Sequence, residues 1–197
     1  MSETFMNISN PYVGERRPGS VGLPLPGVSV EIRSGGELYV KGPNVFQGYW
    51  RRDEATREAF ADGWFRTGDI AERSEDGYYT LRGRRSDLII SGGFNIYPRE
   101  IEEFLFTHPA VEQAAVVGVP DPKYGEELCA WIKLRPGQTA TVEEIRQLCK
   151  QKLAHYKTPK YVKFVESFPQ TVTGKIQKFR IREIMKEELG LQEQQTA

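Results

Sequence analysis

Cysteine and histidine are scarce: two of each occur in 197 residues. Cys129 and Cys149 cannot build a disulfide framework. With no paired Cys-x-x-Cys motif and only His108 and His155, structural zinc is not expected. Excess charge is also lacking, because Lys and Arg together number 27 and Asp and Glu together number 27. A nucleic-acid footprint would need clustered positive charge. No apolar run approaches the roughly 20 residues needed to span a bilayer. The opening MSETFMNISNPY has no basic region followed by an apolar core, so it does not read as a secretory signal. A reducing, cytoplasmic setting is the default expectation. What is present is a chain long enough for one large or two small domains.

Two patterns divide the chain. Residues 1–85 are rich in Gly, Pro and short strand-like runs, such as SVGLPLPGVSVEI (20–32) and GELYVKG (36–42). RRDEATREAF (51–60) predicts one short helix, with Asp53 as its N-cap. Residues 63–83 read as strand, turn and strand, with EDG (75–77) as the hairpin signal. After 85 the periods change. DLIIS (87–91) predicts a short buried strand. Pro98 suits the first position of a helix, where its missing N–H costs nothing. Ile101, Phe104 and Leu105 then share one face, and Glu100, Glu102 and Glu103 lie mostly on the other. Residues 111–120 and 126–134 predict strands; Leu128, Ala130, Ile132 and Leu134 share a face of the second. Residues 141–153 predict a helix with a Thr141/Glu144 capping box and a stripe of Val142, Ile145, Leu148 and Cys149. YVKFVESF (161–168) predicts a strand, and a last helix falls near 177–189. The fold class expected is α+β: a β-rich piece over 1–85, then a unit over 86–190 with helices on a small, mostly antiparallel sheet. Residues 191–197 are expected to be a disordered tail.

Five stretches resemble, in order, the signature motifs of the adenylate-forming acyl-CoA synthetases: GELYVKGPNVFQGYW, DGWFRTGDIA, GRRSDLIISGGFNIYPREIE, YKTPKYVKFV and PQTVTGKIQK. The resemblance runs from residue 1 to about 189. It implies a two-step reaction. A carboxylate attacks the α-phosphate of ATP, giving acyl-adenylate and pyrophosphate, and the thiol of coenzyme A then displaces AMP. Family members pair a large N-terminal domain with a small mobile C-terminal one. On this resemblance residues 1–85 are the β-rich end of the large AMP-binding domain, and 86–190 are the small domain.

The resemblance assigns roles residue by residue. Lys175 matches the catalytic lysine. An ammonium there would bridge the attacking carboxylate and the phosphoryl oxygens, where charge concentrates in the transition state. A long stem lets a mobile domain deliver and withdraw that point charge. Asp69 matches the aspartate that accepts hydrogen bonds from the ribose hydroxyls, and Arg84 the arginine beside the same ribose. Ser86 falls at the hinge, with Asp87 as the alternative polar hinge residue. Ser91, Gly92, Gly93 and Phe94 match the loop that meets coenzyme A, where paired glycines admit close backbone approach; read alone, they also suit a strand-to-helix turn. Ser2 and Glu3 match the end of a motif near the ATP phosphates, so Glu3 becomes a candidate carboxylate for Mg²⁺. ATP, Mg²⁺ and coenzyme A are thus the implied cofactors. His108 and His155 read as structural histidines.

The phosphate loop and most of the acyl pocket of such enzymes have no counterpart here. The expectation is therefore a C-terminal fragment that does not form acyl-CoA alone and depends on the missing N-terminal domain. The first stretch is similar to malonyl-CoA synthetases, and the part after 86 to medium- and long-chain fatty acyl-CoA synthetases. A fatty acid is favoured, with malonate as the alternative. A non-catalytic module that binds nucleotide or a partner is the reading from another class, and an adenylation domain feeding a carrier protein is a third.

Overall fold

The computed structural model describes residues 1–191. The tail predicted at 191–197 therefore lies outside the described residues except for Leu191, which packs on the core below. The chain separates into two compact units, Met1–Ser86 and Asp87–Ala197.

The first unit is built on β-strands. A two-stranded ribbon joins β1 (Ile8–Ser9) to β2 (Leu23–Pro24). The main sheet contains β3 (Ser29–Ile32), β4 (Glu37–Lys41), β5 (Phe60–Ala61), β6 (Trp64–Arg73) and β7 (Tyr79–Arg84), with α1 (Asp53–Ala59) between β4 and β5. All its pairings are antiparallel: β3 with β4, β4 with β6, and both β5 and β7 with β6. Leu38, Ala71 and Tyr79 form its core, with Val30, Ile32 and Leu81 packed against them. The predicted β6–β7 hairpin is present, and Ser74–Tyr78 closes it. Asp53 is not the N-cap. It is the first helical residue, and Arg52 occupies the cap without a side-chain bond. Thr56 instead fixes the start, donating from its N and Oγ1 to the Arg52 carbonyl at 2.9 Å each.

In the second unit β8 (Ile89–Ser91) and β9 (Phe94–Ile96) form a hairpin, followed by α2 (Pro98–Leu105). Next come β10 (Val111–Asp121), β11 (Gly125–Leu134), α3 (Val142–Lys152), β12 (Tyr161–Phe164) and α4 (Lys178–Leu189). The sheet order is β10-β11-β8-β9, antiparallel throughout, and β12 adds to β11 in parallel.

Helices cover both faces of this sheet. Val111, Ala114 and Val116 of β10, with Leu128, Ala130 and Ile132 of β11, meet Ile101 and Leu105 of α2 and Ile145 and Cys149 of α3. The alternate residues Ala115, Val117, Val119, Cys129 and Trp131 meet Ile181 and Met185 of α4. A strand buried on both faces loses the polar half of its alternation, which is why residues 114–120 read as a continuous apolar run. The capping box is present: Thr141 Oγ1 accepts from Glu144 N at 3.2 Å, and Glu144 Oε2 accepts from Thr141 N at 2.7 Å. Val142 is exposed rather than part of the buried stripe. α4 ends on Gly190, whose φ of 64° is the left-handed C-terminal conformation glycine adopts without penalty.

Candidate functional site

In the first unit, β6 and β7 place Asp69 directly opposite Arg84. Arg84 Nε lies 3.3 Å from Asp69 Oδ1, with the Asp69 side chain 20 % exposed and that of Arg84 58 % exposed. Gly68 bends β6 just before the pair, at φ 71°. A Cβ there would meet nothing within 4 Å, so the backbone angle, not space, asks for glycine. Thr67 Oγ1 secures the bend, donating to the Leu38 carbonyl at 2.8 Å and accepting from Asp69 N at 3.1 Å. Beside it the buried Glu37 carboxylate takes Arg85 Nη1 at 2.7 Å and Arg66 Nη2 at 3.3 Å. The hydrogen bond to Glu37 pushes the Arg66 pKa up.

Ser2 is exposed, and Glu3 is half-buried in the opening turn. The Glu3 carbonyl accepts from Phe46 N at 2.8 Å, and its Oε1 accepts from the Tyr49 hydroxyl at 3.3 Å. Burial first, and then the Glu3 charge, push the Tyr49 pKa up. No group of three or more His, Cys, Asp or Glu that could hold a metal occurs among the described residues. Glu3 alone suits Mg²⁺ only as one ligand to an ion carried mainly by nucleotide phosphates.

Ser86 and Asp87 lie in a single 3₁₀ turn, Arg85–Asp87. The Asp87 carboxylate is 4.0 Å from Lys178 Nζ, which pairs with Glu102 at 2.7 Å. Glu102 also accepts from Val116 N at 2.7 Å, so this α2 carboxylate faces the sheet rather than solvent.

Ser91, Gly92, Gly93 and Phe94 form the β8–β9 hairpin rather than a strand-to-helix turn. Ser91 pairs with Phe94, and the two glycines between them stand at φ 56° and 83°. Both central residues of a two-residue turn of this hand need positive φ, so Gly-Gly is the sequence that fits. Gly92 N donates to the Tyr124 carbonyl at 2.9 Å. Phe94 stacks flat on Tyr156, with centroids 4.3 Å apart and planes 6° apart. A cavity of about 390 Å³ opens beside this hairpin, lined by Phe94, Tyr124, Tyr156, Arg146, Lys150 and His155 among others. His155 thus faces the cavity, whereas His108 Nδ1 accepts from Ala110 N at 3.2 Å. Sequence reasoning missed Tyr124, Arg146, Lys150 and Tyr156. On α3 the sequence signal is the capping box and the apolar stripe, which leave the two cations unmarked; only the packing of α3 brings them to the hairpin.

Lys175 stands on a tight turn in the same unit. Thr171 N donates to the Lys175 carbonyl at 2.9 Å, Gly174 N to the Thr171 carbonyl at 2.9 Å, and Lys175 N to Thr171 Oγ1 at 3.2 Å. Gly174 takes φ 79°. The backbone is pinned and the side chain is exposed.

Residues 100–175 match the family of the AMP-binding enzyme C-terminal domain. The medium-chain acyl-CoA ligase ACSF2 of Mus musculus is 46 % identical over 200 residues, 95 % of this chain and 32 % of that protein. This chain therefore contains an AMP-binding enzyme C-terminal domain. The putative acyl-CoA synthetase YngI of Bacillus subtilis is 51 % identical over 161 residues, covering 80 % of this chain and 29 % of that protein. Among solved structures, ATP-bound MatB from Rhodopseudomonas palustris superposes with a TM-score of 0.88 at 43 % identity, over 95 % of this chain and 40 % of that one. The chain thus spans about a third of the length of the curated relatives it matches. The α+β fold expected from the sequence is shared with the matching part of MatB. No helix among the described residues is long and apolar enough to cross a membrane.

Proposed function

We propose that the chain serves an acid–thiol ligase of the acyl-CoA synthetase class. In the first step a carboxylate oxygen bonds to the α-phosphorus of ATP and pyrophosphate leaves. In the second, the sulfur of coenzyme A bonds to the acyl carbon, AMP leaves, and the thiol proton passes to solvent. The observation that carries this reading is Lys175: an exposed ammonium stem on a pinned Gly-Lys turn, inside the stretch that matches the adenylate-forming motif. A point charge so presented can meet the negative charge that builds on the phosphoryl group. Asp69 would accept from the ribose diol with its carboxylate held by Arg84, a pairing the 3.3 Å contact supports. Ser2 and Glu3 would lie near the ATP phosphates, with Glu3 contributing one carboxylate to Mg²⁺. Ser86 or Asp87 would serve as the hinge between the two units. The Ser91–Phe94 hairpin would take the pantetheine arm, and the adjoining aromatic and cationic cavity the nucleotide end of coenzyme A.

A medium-chain fatty acid is the preferred substrate, supported by the similarity to ACSF2. Malonate is the second reading, because the fold superposes on MatB with a TM-score of 0.88. The cytoplasm is the compartment proposed; the ACSF2 relatives carry the name mitochondrial. The test combines this chain with the remaining part of an ACSF2-type ligase, ATP, Mg²⁺, and octanoate or malonate, and follows pyrophosphate release. Lys175→Ala should lower release by about 10²–10³-fold, the cost of removing one preorganised charge from a transition state. Release unaffected by that substitution would refute the assignment. No release from associated, folded parts would favour the binding-module reading.

A further inference from the structure

The β8–β9 hairpin hangs from the rest of its sheet by little backbone. β8 and β11 meet at one register pair, Ser91 with Gly125, and Gly92 N adds its bond to the Tyr124 carbonyl at 2.9 Å. One residue back, the Ile90 N–H turns away from β9, because alternate residues of an antiparallel pair point their N–H groups outwards. It donates to a side chain: Glu126 Oε2 accepts it at 2.8 Å. The other oxygen of that carboxylate, Oε1, lies 2.9 Å from Arg182 Nη2 on α4, and the Glu126 side chain is only 16 % exposed. Gly118 of β10 leaves the room for it. A Cβ at Gly118 would fall 2.7 Å from Glu126 Oε1 and 2.8 Å from its Cδ. One carboxylate thus joins the hairpin, the sheet and α4. That helix begins at Lys178, just after the turn that carries Lys175, and Ile181 and Met185 seat it on β10 and β11.

We infer that Glu126 and Arg182 are positioning residues for the thiol step: they hold the Ser91–Phe94 hairpin through the Ile90 amide and brace it on the helix that follows the Lys175 turn. This rests on the reading that the hairpin serves the second half-reaction. Both residues act through the backbone of the hairpin and not on a reacting atom. The charge on Glu126 makes the Ile90 bond stronger than an amide–carbonyl bond. Arg182 keeps that carboxylate in place, and its 40 % exposure means that its effect is screened. Loss of the carboxylate should let the hairpin open about tenfold more often, and loss of Arg182 about threefold more often. Gly118→Ala offers the same perturbation without deleting a polar group, since the added methyl meets the flexible end of Glu126 and pushes the carboxylate aside.

The test is amide hydrogen exchange in the full chain, read residue by residue. Glu126→Ala should speed exchange at Ile90 and along the hairpin about tenfold, with the β10–β11 ladder unchanged as the sign that the variant is folded. Arg182→Gln should speed the same amides about threefold, although its partner is Glu126 and not the hairpin. Arg182→Lys should restore most of the protection. The double variant Glu126→Ala, Arg182→Gln should be no worse than Glu126→Ala alone, because Arg182 acts through that carboxylate. In the ligase completed with the remaining part of an ACSF2-type enzyme, Glu126→Ala should slow thioester formation about tenfold more than it slows pyrophosphate release. Unchanged exchange at Ile90 in both Glu126→Ala and Gly118→Ala would overturn the inference. Additive effects in the double variant, or equal slowing of the two steps, would overturn it as well, since a merely structural role predicts both. A wild-type ligase that releases pyrophosphate yet forms no thioester would instead refute the thiol-step reading, and the exchange rates would still decide whether Glu126 holds the hairpin.

Discussion

Asp121 is a residue whose removal should be felt in both stability and binding. It ends β10 and is only 7 % exposed. Its Oδ1 accepts from Lys123 N at 2.9 Å and Tyr124 N at 3.0 Å, and its Oδ2 accepts from Lys160 Nζ at 2.7 Å. One carboxylate thus shapes the β10–β11 turn and positions two residues of the cavity wall. The Lys160 ammonium is the main cause that holds the Asp121 pKa below its ordinary value of 3.8, with the two backbone bonds adding to it. Asp121→Ala removes one charge-assisted bond and two backbone bonds. Lys160 is 42 % exposed and the freed N–H groups sit at a turn where water can reach them, so the loss is about 2 kcal/mol. Asp121→Asn keeps an oxygen for the two N–H groups and loses the charge, about 1 kcal/mol. A depressed folded-state pKa contributes stability that is present above the unfolded value and lost as pH falls through the folded one. The difference between wild type and Asp121→Ala should therefore be full at pH 7 and shrink below about pH 4, near the unfolded-state pKa of aspartate. Trp131 is the one tryptophan of the second unit. Urea unfolding followed by its fluorescence in a Trp50→Phe, Trp64→Phe background reports that unit. A cost for Asp121→Ala under about 0.5 kcal/mol, or a difference unchanged between pH 7 and pH 3, would refute this argument, since a charge-assisted bond contributes more.

Two further results should follow from the local structure. Gly93→Ala should cost about 1–2 kcal/mol through backbone strain alone, because its Cβ meets nothing within 4 Å; Gly92→Ala should cost more, since its Cβ falls 3.3 Å from Tyr124 Cδ1. Urea unfolding measures both, and a loss-free Gly93→Ala would contradict the hairpin turn. Both thiols should resist labelling by an aromatic disulfide reagent at pH 8 until the chain unfolds. Burial pushes Cys129 up to about 12 and Cys149 up to about 11, and labelling of the native chain within seconds would show that the sheet opens.

How far the sequence carries to this structure depends on whether a feature is local. α2 and α3 announce themselves by Pro98 and by the Thr141/Glu144 box, because caps and apolar stripes are written within one turn of a helix. β9 does not: Phe94–Ile96 is three residues long and leads straight into Pro98, so it reads as the approach to a helix. Its one local signal is the Gly-Gly pair, which fits several turns until the pairing of Ser91 with Phe94 is known. Asp53 shows the converse, a good cap residue one position too late, displaced because Thr56 already bonds back to Arg52. The cavity is the least legible feature. Phe94, Tyr124, Arg146 and Tyr156 come from four separate stretches, and apart from Phe94 each alone resembles surface sequence. Only the placement of α3 on the sheet, through Ile145 and Cys149, turns Arg146 and Lys150 from solvated charges into a wall facing the hairpin. A motif can name a lysine on a turn, but a cavity assembled by tertiary packing has no motif to be named by.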